Sequence, residues 1–348
     1  MISEHLLDIA MLVEIGLLVL AVCLFFAHGA WLFLHERRLR RLTESARGSL
    51  AHLATRGTVN VEEIEALRRI PSDVQVIALL EISRHLSGAA KERLSFVAGQ
   101  VGVVDRARKL CESRRWSRRL RGARILSRLD VVDPLVQRLL SDSHPAVRAQ
   151  AAEWAAAQPS VILISAMLKL LADPATQARF AVQNALLRMG GVVAGPLATF
   201  LERNSGRAAE AGLRVAESLA EPRFGAAALR LSRTSDVGVR IAAARLLGAV
   251  GEAEGAERLI ELLEDDDPSV RAAAAQGLGR MHHWKAASLL AGRLRDSAWR
   301  VRRAAGLALR SIGAPGVLFL RRALKGDDSF AADMAQQVLD LPSAAASV

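Results

Sequence analysis

The chain has 348 residues and a formal charge of +11, from 47 Lys and Arg against 36 Asp and Glu. Hydrophobic residues make up 51% of it, aromatics only 4%, and Tyr is absent, so the apolar content is Ala, Leu and Val, which favours close-packed helices over strands. The two cysteines, Cys23 and Cys111, lie in very different segments, which excludes a disulfide framework or a cysteine-based metal motif.

The first element is apolar. From Ile15 to Leu34 twenty consecutive residues carry no formal charge. A helix of that length is roughly 30 Å long and covers a bilayer's hydrocarbon core. Glu4, Asp8 and Glu14 precede the run, and Arg37, Arg38, Arg40 and Arg41 follow it. That order suits a retained anchor over a cleaved signal peptide, whose charges would come first. The basic flank marks the cytoplasmic side, so the expectation is a single-pass protein of a plasma membrane, N-terminus outside and the remainder cytoplasmic. Residues 1–36 are read as the anchor and 37–60 as a basic juxtamembrane linker.

Residues 61–106 read as a helical N-terminal cap, with Asn60 as a helix cap and Pro71 as a break. From there a phrase recurs: DDDPSVRAAAAQGL at 265–278 and DSAWRVRRAAGLAL at 296–309, with further copies at 142–148, 173–179 and 234–240. Arg240, Arg271 and Arg302 are 31 residues apart, as are Arg148 and Arg179. Such a period holds two helices of about a dozen residues and two turns. Gly195, Gly225, Gly255, Lys285 and Pro315 form a second series every 30 residues and open the other helix of each pair. Weaker copies fall at 113–126, 204–219 and 327–339, giving about eight units over 107–342, with 343–348 as a disordered tail.

Within the phrase, Asp265 and Asp296 are read as caps that accept bonds from unpaired amides at a helix start. The repeated Arg can reach an Asp or a carbonyl of the adjacent unit and build a ladder. Small residues three and four positions later, such as Ala274 and Ala275, let helices approach closely, and Leu247, Leu278 and Leu309 fill the core.

The pattern Asp-x-x-x-Val-Arg-x-x-Ala-Ala-x-x-x-Leu resembles the second-helix signature of HEAT repeats, particularly the phycobilisome-lyase-like subclass. That resemblance implies an all-α fold: a right-handed α-solenoid of about eight HEAT-type helical hairpins, here preceded by one transmembrane helix. A membrane helix followed by such repeats also resembles bacterial proteins associated with envelope polysaccharide glycosyltransferases.

The position five after the repeated Arg points away from the core positions at three, four and seven. With the weak copy at 204–219 anchored at Ala209, it carries Arg124, Glu153, Asn184, Arg214, Arg245 and Gln276, a candidate polar ladder for a partner; an ordinary solvated face would show the same pattern. A basic patch of Arg114, Arg115, Arg118, Arg121 and Arg128 surrounds Trp116 and suits anionic lipid headgroups or an acidic partner. Since 42 of the 47 basic residues are Arg, compositional bias of a GC-rich genome also accounts for that richness.

Catalytic readings find little footing. His35-Glu36 is the only His-Glu dipeptide, against the several that a metal-dependent hydroxylase of this fold would need. His282 and His283 diverge on a helix, and neither P-loop nor GxSxG spacing occurs. The expectation is a non-enzymatic, membrane-anchored scaffold with no cofactor and no metal. Its partner would be another protein, membrane-associated, with an envelope-synthesis enzyme as the candidate. Direct binding of anionic lipid or nucleic acid is the alternative, nucleic acid being disfavoured by the tether.

Overall fold

The structure, a computed structural model, describes residues 2–55 and 60–342, without the side chains of 2–19, 21 and 35. The tail read as disordered, 343–348, lies outside the described residues. Every regular element among them is helical, and the chain separates into two compact units, 1–133 and 134–348.

In the first unit α1 (Ile2–Thr55) is one continuous helix, about 80 Å long at the ordinary rise. From Leu20 to Leu34 its large apolar side chains, Phe25, Phe26 and Trp31 among them, are exposed. Its last third behaves differently: Ala46, Leu50, Leu53 and Ala54 are buried and pack on α3 (Ser72–Ser83) and α4 (Gly88–Gln100). Residues 37–55 are therefore not the linker expected from their basic composition. The buried residues recur at intervals of four, seven and eight, which is one face of a helix. Arg93 Nε donates to the carbonyl of Ala54 at 2.8 Å and fixes the end of that face.

Asn60 caps α2 (Val61–Arg68) by accepting from the Glu62 amide at 3.2 Å, and the chain breaks at Pro71 before α3. The first hairpin, α5 (Val103–Cys111) and α6 (Trp116–Arg128), opens after Gly102, whose φ of +74° is a turn conformation suited to glycine. The repeats thus begin at 103, four residues ahead of the expected boundary at 107.

The second unit holds seven hairpins among its described residues: α7 (Leu135–Leu140) with α8 (Pro145–Ala155), α9 (Val161–Lys169) with α10 (Thr176–Met189), α11 (Ala194–Arg203) with α12 (Gly206–Leu219), α13 (Gly225–Leu231) with α14 (Val237–Val250), α15 (Ala253–Leu262) with α16 (Pro268–Arg280), α17 (Ala287–Arg293) with α18 (Trp299–Ile312), and α19 (Ala314–Ala323) with α20 (Ser329–Asp340). With α5–α6 they make the eight units that the period implies. By length and composition Thr176–Arg203 is apolar enough to cross a membrane. It is broken at Gly190, φ +63°, into α10 and α11, and Val182, Ala185, Leu186, Leu197 and Leu201 are buried in the core.

Second helices of successive hairpins pack side by side, α12 on α14, α14 on α16 and α16 on α18. Ala243, Ala244, Ala274 and Ala275 are fully buried in these contacts. At Gly248 the approach is closest: a methyl group there would sit 2.4 Å from the Cα of Gly277.

At three places in the second unit the repeated Arg ties one hairpin to the next. Arg271 Nε and Nη2 donate to Asp296 at 2.8 and 2.9 Å, while Nη1 donates to the carbonyls of Asp265 and Asp266 at 2.8 and 3.0 Å. Arg240 meets Asp265 in the same way, both bonds 2.9 Å, and Arg148 meets Asp173 at 2.6 and 2.8 Å. Such forked pairs fix direction as well as charge. In the first unit Arg108 Nε reaches Asp133 at 2.6 Å over the same 25 residues.

Asp265 and Asp296 are not the caps expected of them. Asp267 is the cap of α16, accepting from the Ser269 amide at 2.7 Å, and Asp265 accepts from the Asp267 amide at 2.9 Å. Asp296 likewise accepts from Ala298, the residue that precedes α18. Placed two residues ahead of the cap, each carboxylate closes the turn and still receives the preceding hairpin's Arg. Burial pushes the Asp173 and Asp296 carboxyls up, but the bonds from Arg148 and Arg271, the turn amides and nearby Arg charges outweigh it. Both are held below the ordinary carboxylate value.

Candidate partner-binding face

The six ladder positions lie on second helices, Arg124 in the first unit and the other five on α8, α10, α12, α14 and α16 of the second. All are exposed except Glu153, which is half-buried. Glu153 accepts from Arg188 at 2.5 Å and Arg214 donates to Glu210 at 2.5 Å. The side chains of Arg124, Asn184, Arg245 and Gln276 bond to no other described residue. The spacing therefore places these residues on the outer face of the second helices, and α18 ends the series with the half-buried Leu307.

Two clefts interrupt that face in the second unit. One, of about 360 Å³, lies along α16 and α18 and joins Arg245 and Gln276 to Trp299, Arg300 and Arg303. Trp299 is 55% exposed. The Arg303 guanidinium carbon stands 5.6 Å from its ring centroid, within range of a cation–π contact, and Arg300 Nη1 donates to Ser269 Oγ at 2.7 Å. The other cleft, also about 360 Å³, lies along α10 and α12 and is lined by Arg179, Phe180, Gln183, Arg207, Glu210 and Arg214. Phe180 is 61% exposed. The clefts occupy matching places: Arg300 and Arg207 both stand two residues before the repeat position, and Leu307 and Arg214 five after it.

The ladder reading missed Trp299, Arg300, Arg303, Phe180 and Arg207. Their signal is a departure from the repeat. Trp299 stands three residues before the repeated Arg, where the copies at 142–148, 173–179, 234–240 and 265–278 have Pro145, Thr176, Val237 and Pro268 and the weaker copy at 113–126 has Trp116; the large aromatic is exposed at both places and fills no core.

The basic patch lies in the first unit, with Arg114, Arg115, Arg118, Arg121 and Arg128 all exposed. Arg114 and Arg115 precede α6, and the other three are on it. Arg121 is partly neutralised by Asp73 at 2.7 Å. Arg119, within the cluster, turns inward and donates to the carbonyls of Ser113 and Arg114 at 3.0 and 2.9 Å, the bonding of a repeated Arg. No three His, Cys, Asp or Glu side chains among the described residues lie together as metal ligands.

The spacing, the Arg–Asp bridges and the paired helices together define the repeat type. Residues 256–340 match the family of HEAT repeats. No curated protein matches the chain in sequence. Among solved structures, importin beta crystallised in ammonium sulfate aligns over 83% of this chain and 51% of its own, at 12% identity and a TM-score of 0.51. Kap95p bound to RanGDP aligns over 83% and 50%, at 12% identity and a TM-score of 0.50. The complex of CpcE and CpcF of phycocyanin lyase from Nostoc aligns over 60% and 94%, at 20% identity and a TM-score of 0.36. The chain spans about half the length of the two importin-type proteins. At these identities the likeness shows the fold, an all-α solenoid of HEAT-type hairpins, and leaves activity to the site.

Proposed function

We propose that the protein is a membrane-anchored scaffold that holds a partner protein against the second-helix face of its HEAT solenoid and catalyses no reaction. The observation that carries this is the pair of clefts at equivalent repeat positions, each bringing an exposed aromatic and several Arg side chains to a face already lined by Arg245, Gln276 and Arg214. Aromatic and Arg residues in concave, partly desolvated sites are the side chains that dominate protein interfaces. A solenoid of this fold holds RanGDP in the Kap95p complex.

The anchor is α1. Its uncharged run from Ile15 to Leu34, the exposure of Phe25, Phe26, Trp31 and Phe33, and the four Arg residues that follow support a span with its basic end in the cytoplasm of a bacterial plasma membrane. The partner is then a membrane protein or one recruited to the membrane, an envelope-synthesis enzyme being the candidate. Chemical crosslinking of the full-length protein in native membranes, beside a variant lacking residues 1–36, tests this. A defined membrane protein captured only by the anchored form is the expected outcome; equal capture by both forms contradicts the anchor.

The exposed Arg patch before and on α6 favours a second reading, direct binding of anionic lipid or nucleic acid. Polyanion binding weakens steeply with ionic strength, whereas a packed protein interface survives moderate salt.

A further inference from the structure

One hairpin, α11–α12, lacks the residues of the Arg–Asp ladder on both of its sides, while Arg302, which bonds the carbonyls of Asp296 and Ser297 and lies against Phe330, ends the ladder without a bond to an Asp. Twenty-five residues after Arg179, where the ladder needs a carboxylate, stands Asn204; two residues ahead of the α12 cap, Ser205, stands Arg203; and at the repeat position of α12 itself stands Ala209 instead of Arg. Asn204 has turned to other use, its Nδ2 donating to the carbonyl of Phe200 at 2.7 Å. Arg179 nevertheless keeps the posture of a ladder Arg. Its Nη1 donates to the carbonyls of Asp173 and Pro174 at 2.7 and 3.0 Å, as Arg271 and Arg240 do to the carbonyls six and five residues before them. Its Nη2 donates to Thr176 Oγ1 at 3.0 Å, and Nε bonds to no described residue.

The edge with which Arg148, Arg240 and Arg271 grip an Asp holds no carboxylate in Arg179, and Arg179 lines the cleft between α10 and α12. Arg207 and Arg214 line the same cleft against a single carboxylate, Glu210, which already pairs with Arg214. A departure from a structural rule that leaves a cation pre-oriented beside a cavity is where function is expected to lie.

We infer that this cleft binds an acidic segment of a partner protein. An Asp or Glu side chain of the partner occupies the Arg179 fork as Asp265 occupies that of Arg240, and an adjacent apolar side chain rests on Phe180. Three other Arg side chains of the ladder show the fork accepting carboxylate, and Glu210 beside it disfavours the continuous negative charge of a phosphodiester backbone. The inference presupposes the scaffold function proposed above and names the chemistry of what is held.

The test uses the full-length protein in detergent micelles and a fluorescein-labelled nonapeptide of alternating Glu, Asp and Phe, with a Gln/Asn/Phe peptide as control. Two variants are compared with the natural chain: Arg179→Gln, which removes the fork, and Asn204→Asp, which supplies the missing carboxylate from within. Asn204→Asp gives up the bond to the Phe200 carbonyl and sets a carboxylate beside the Arg179 fork, so its Tm is measured alongside, and a Tm equal to that of the natural chain shows that the hairpins stay folded. Binding of the acidic peptide alone, weakened about tenfold or more in both variants, is the expected result. Unchanged binding in Asn204→Asp and Arg179→Gln overturns the inference. So does stronger binding of a labelled single-stranded oligonucleotide or of phosphatidylglycerol vesicles that displace the peptide, since the site is then one for polyanions. Crosslinking to a native partner that persists in Asn204→Asp while the acidic peptide fails to bind leaves the scaffold standing and removes only this inference.

Discussion

Asp296 receives two bonds from Arg271 and one from a turn amide with its side chain only 4% exposed. Deleting that carboxylate leaves a guanidinium paired only with carbonyls where water scarcely reaches. Asp296→Ala should therefore cost about 3 kcal/mol or more in unfolding free energy, measured by urea denaturation. Because the folded-state pKa of Asp296 is depressed, its contribution is fully present above the ordinary carboxylate pKa of about 3.9 and is lost as pH falls through the lower folded value. The stability gap between natural chain and variant should be constant near neutral pH and shrink below about pH 4. The interval between Arg residues and their reach to a neighbouring unit were legible in the sequence. The role of the Asp was not: a carboxylate six residues before the Arg suits a cap and a turn equally, and only its position two residues ahead of the cap separates them.

Between elements, the distance of closest approach is set by residues with little or no side chain. At Gly248 the opposing surface is backbone, the Cα of Gly277, which cannot swing aside as a flexible side chain does. Gly248→Ala should raise local helix propensity and yet destabilise the protein by about 1–3 kcal/mol, since overpacking must part α14 from α16. Thermal unfolding checks the sign, and an increase in Tm would contradict the packing described. Hairpin count and the starts of the first helices followed from the two interleaved periods. The basic segment after the apolar run was misread because its Arg content obscures the spacing of Ala46, Leu50, Leu53 and Ala54, the residues that bury one face of α1. Composition reports the solvated side of such a helix, and spacing reports the packed side.

At the scale of the whole molecule, periodicity says which positions are exposed but not where two helices leave a hollow between them. The exposure of five of the six ladder positions was legible for the first reason. The clefts were not, because each needs side chains two before and one after the repeat position on one helix to face others on its neighbour. The proposed scaffold function would place the partner on this face, and Gln276, exposed and bonded to no described side chain, reports on it without disturbing the fold. The most direct measurement is photo-crosslinking in native membranes from a benzoylphenylalanine placed at Gln276, with Glu257 on the exposed side of α15 as the control. A single protein captured from Gln276 and not from Glu257 is the expected result. Equal capture from both, or capture of lipid or nucleic acid alone from Gln276, would contradict a scaffold that binds its partner through the second helices.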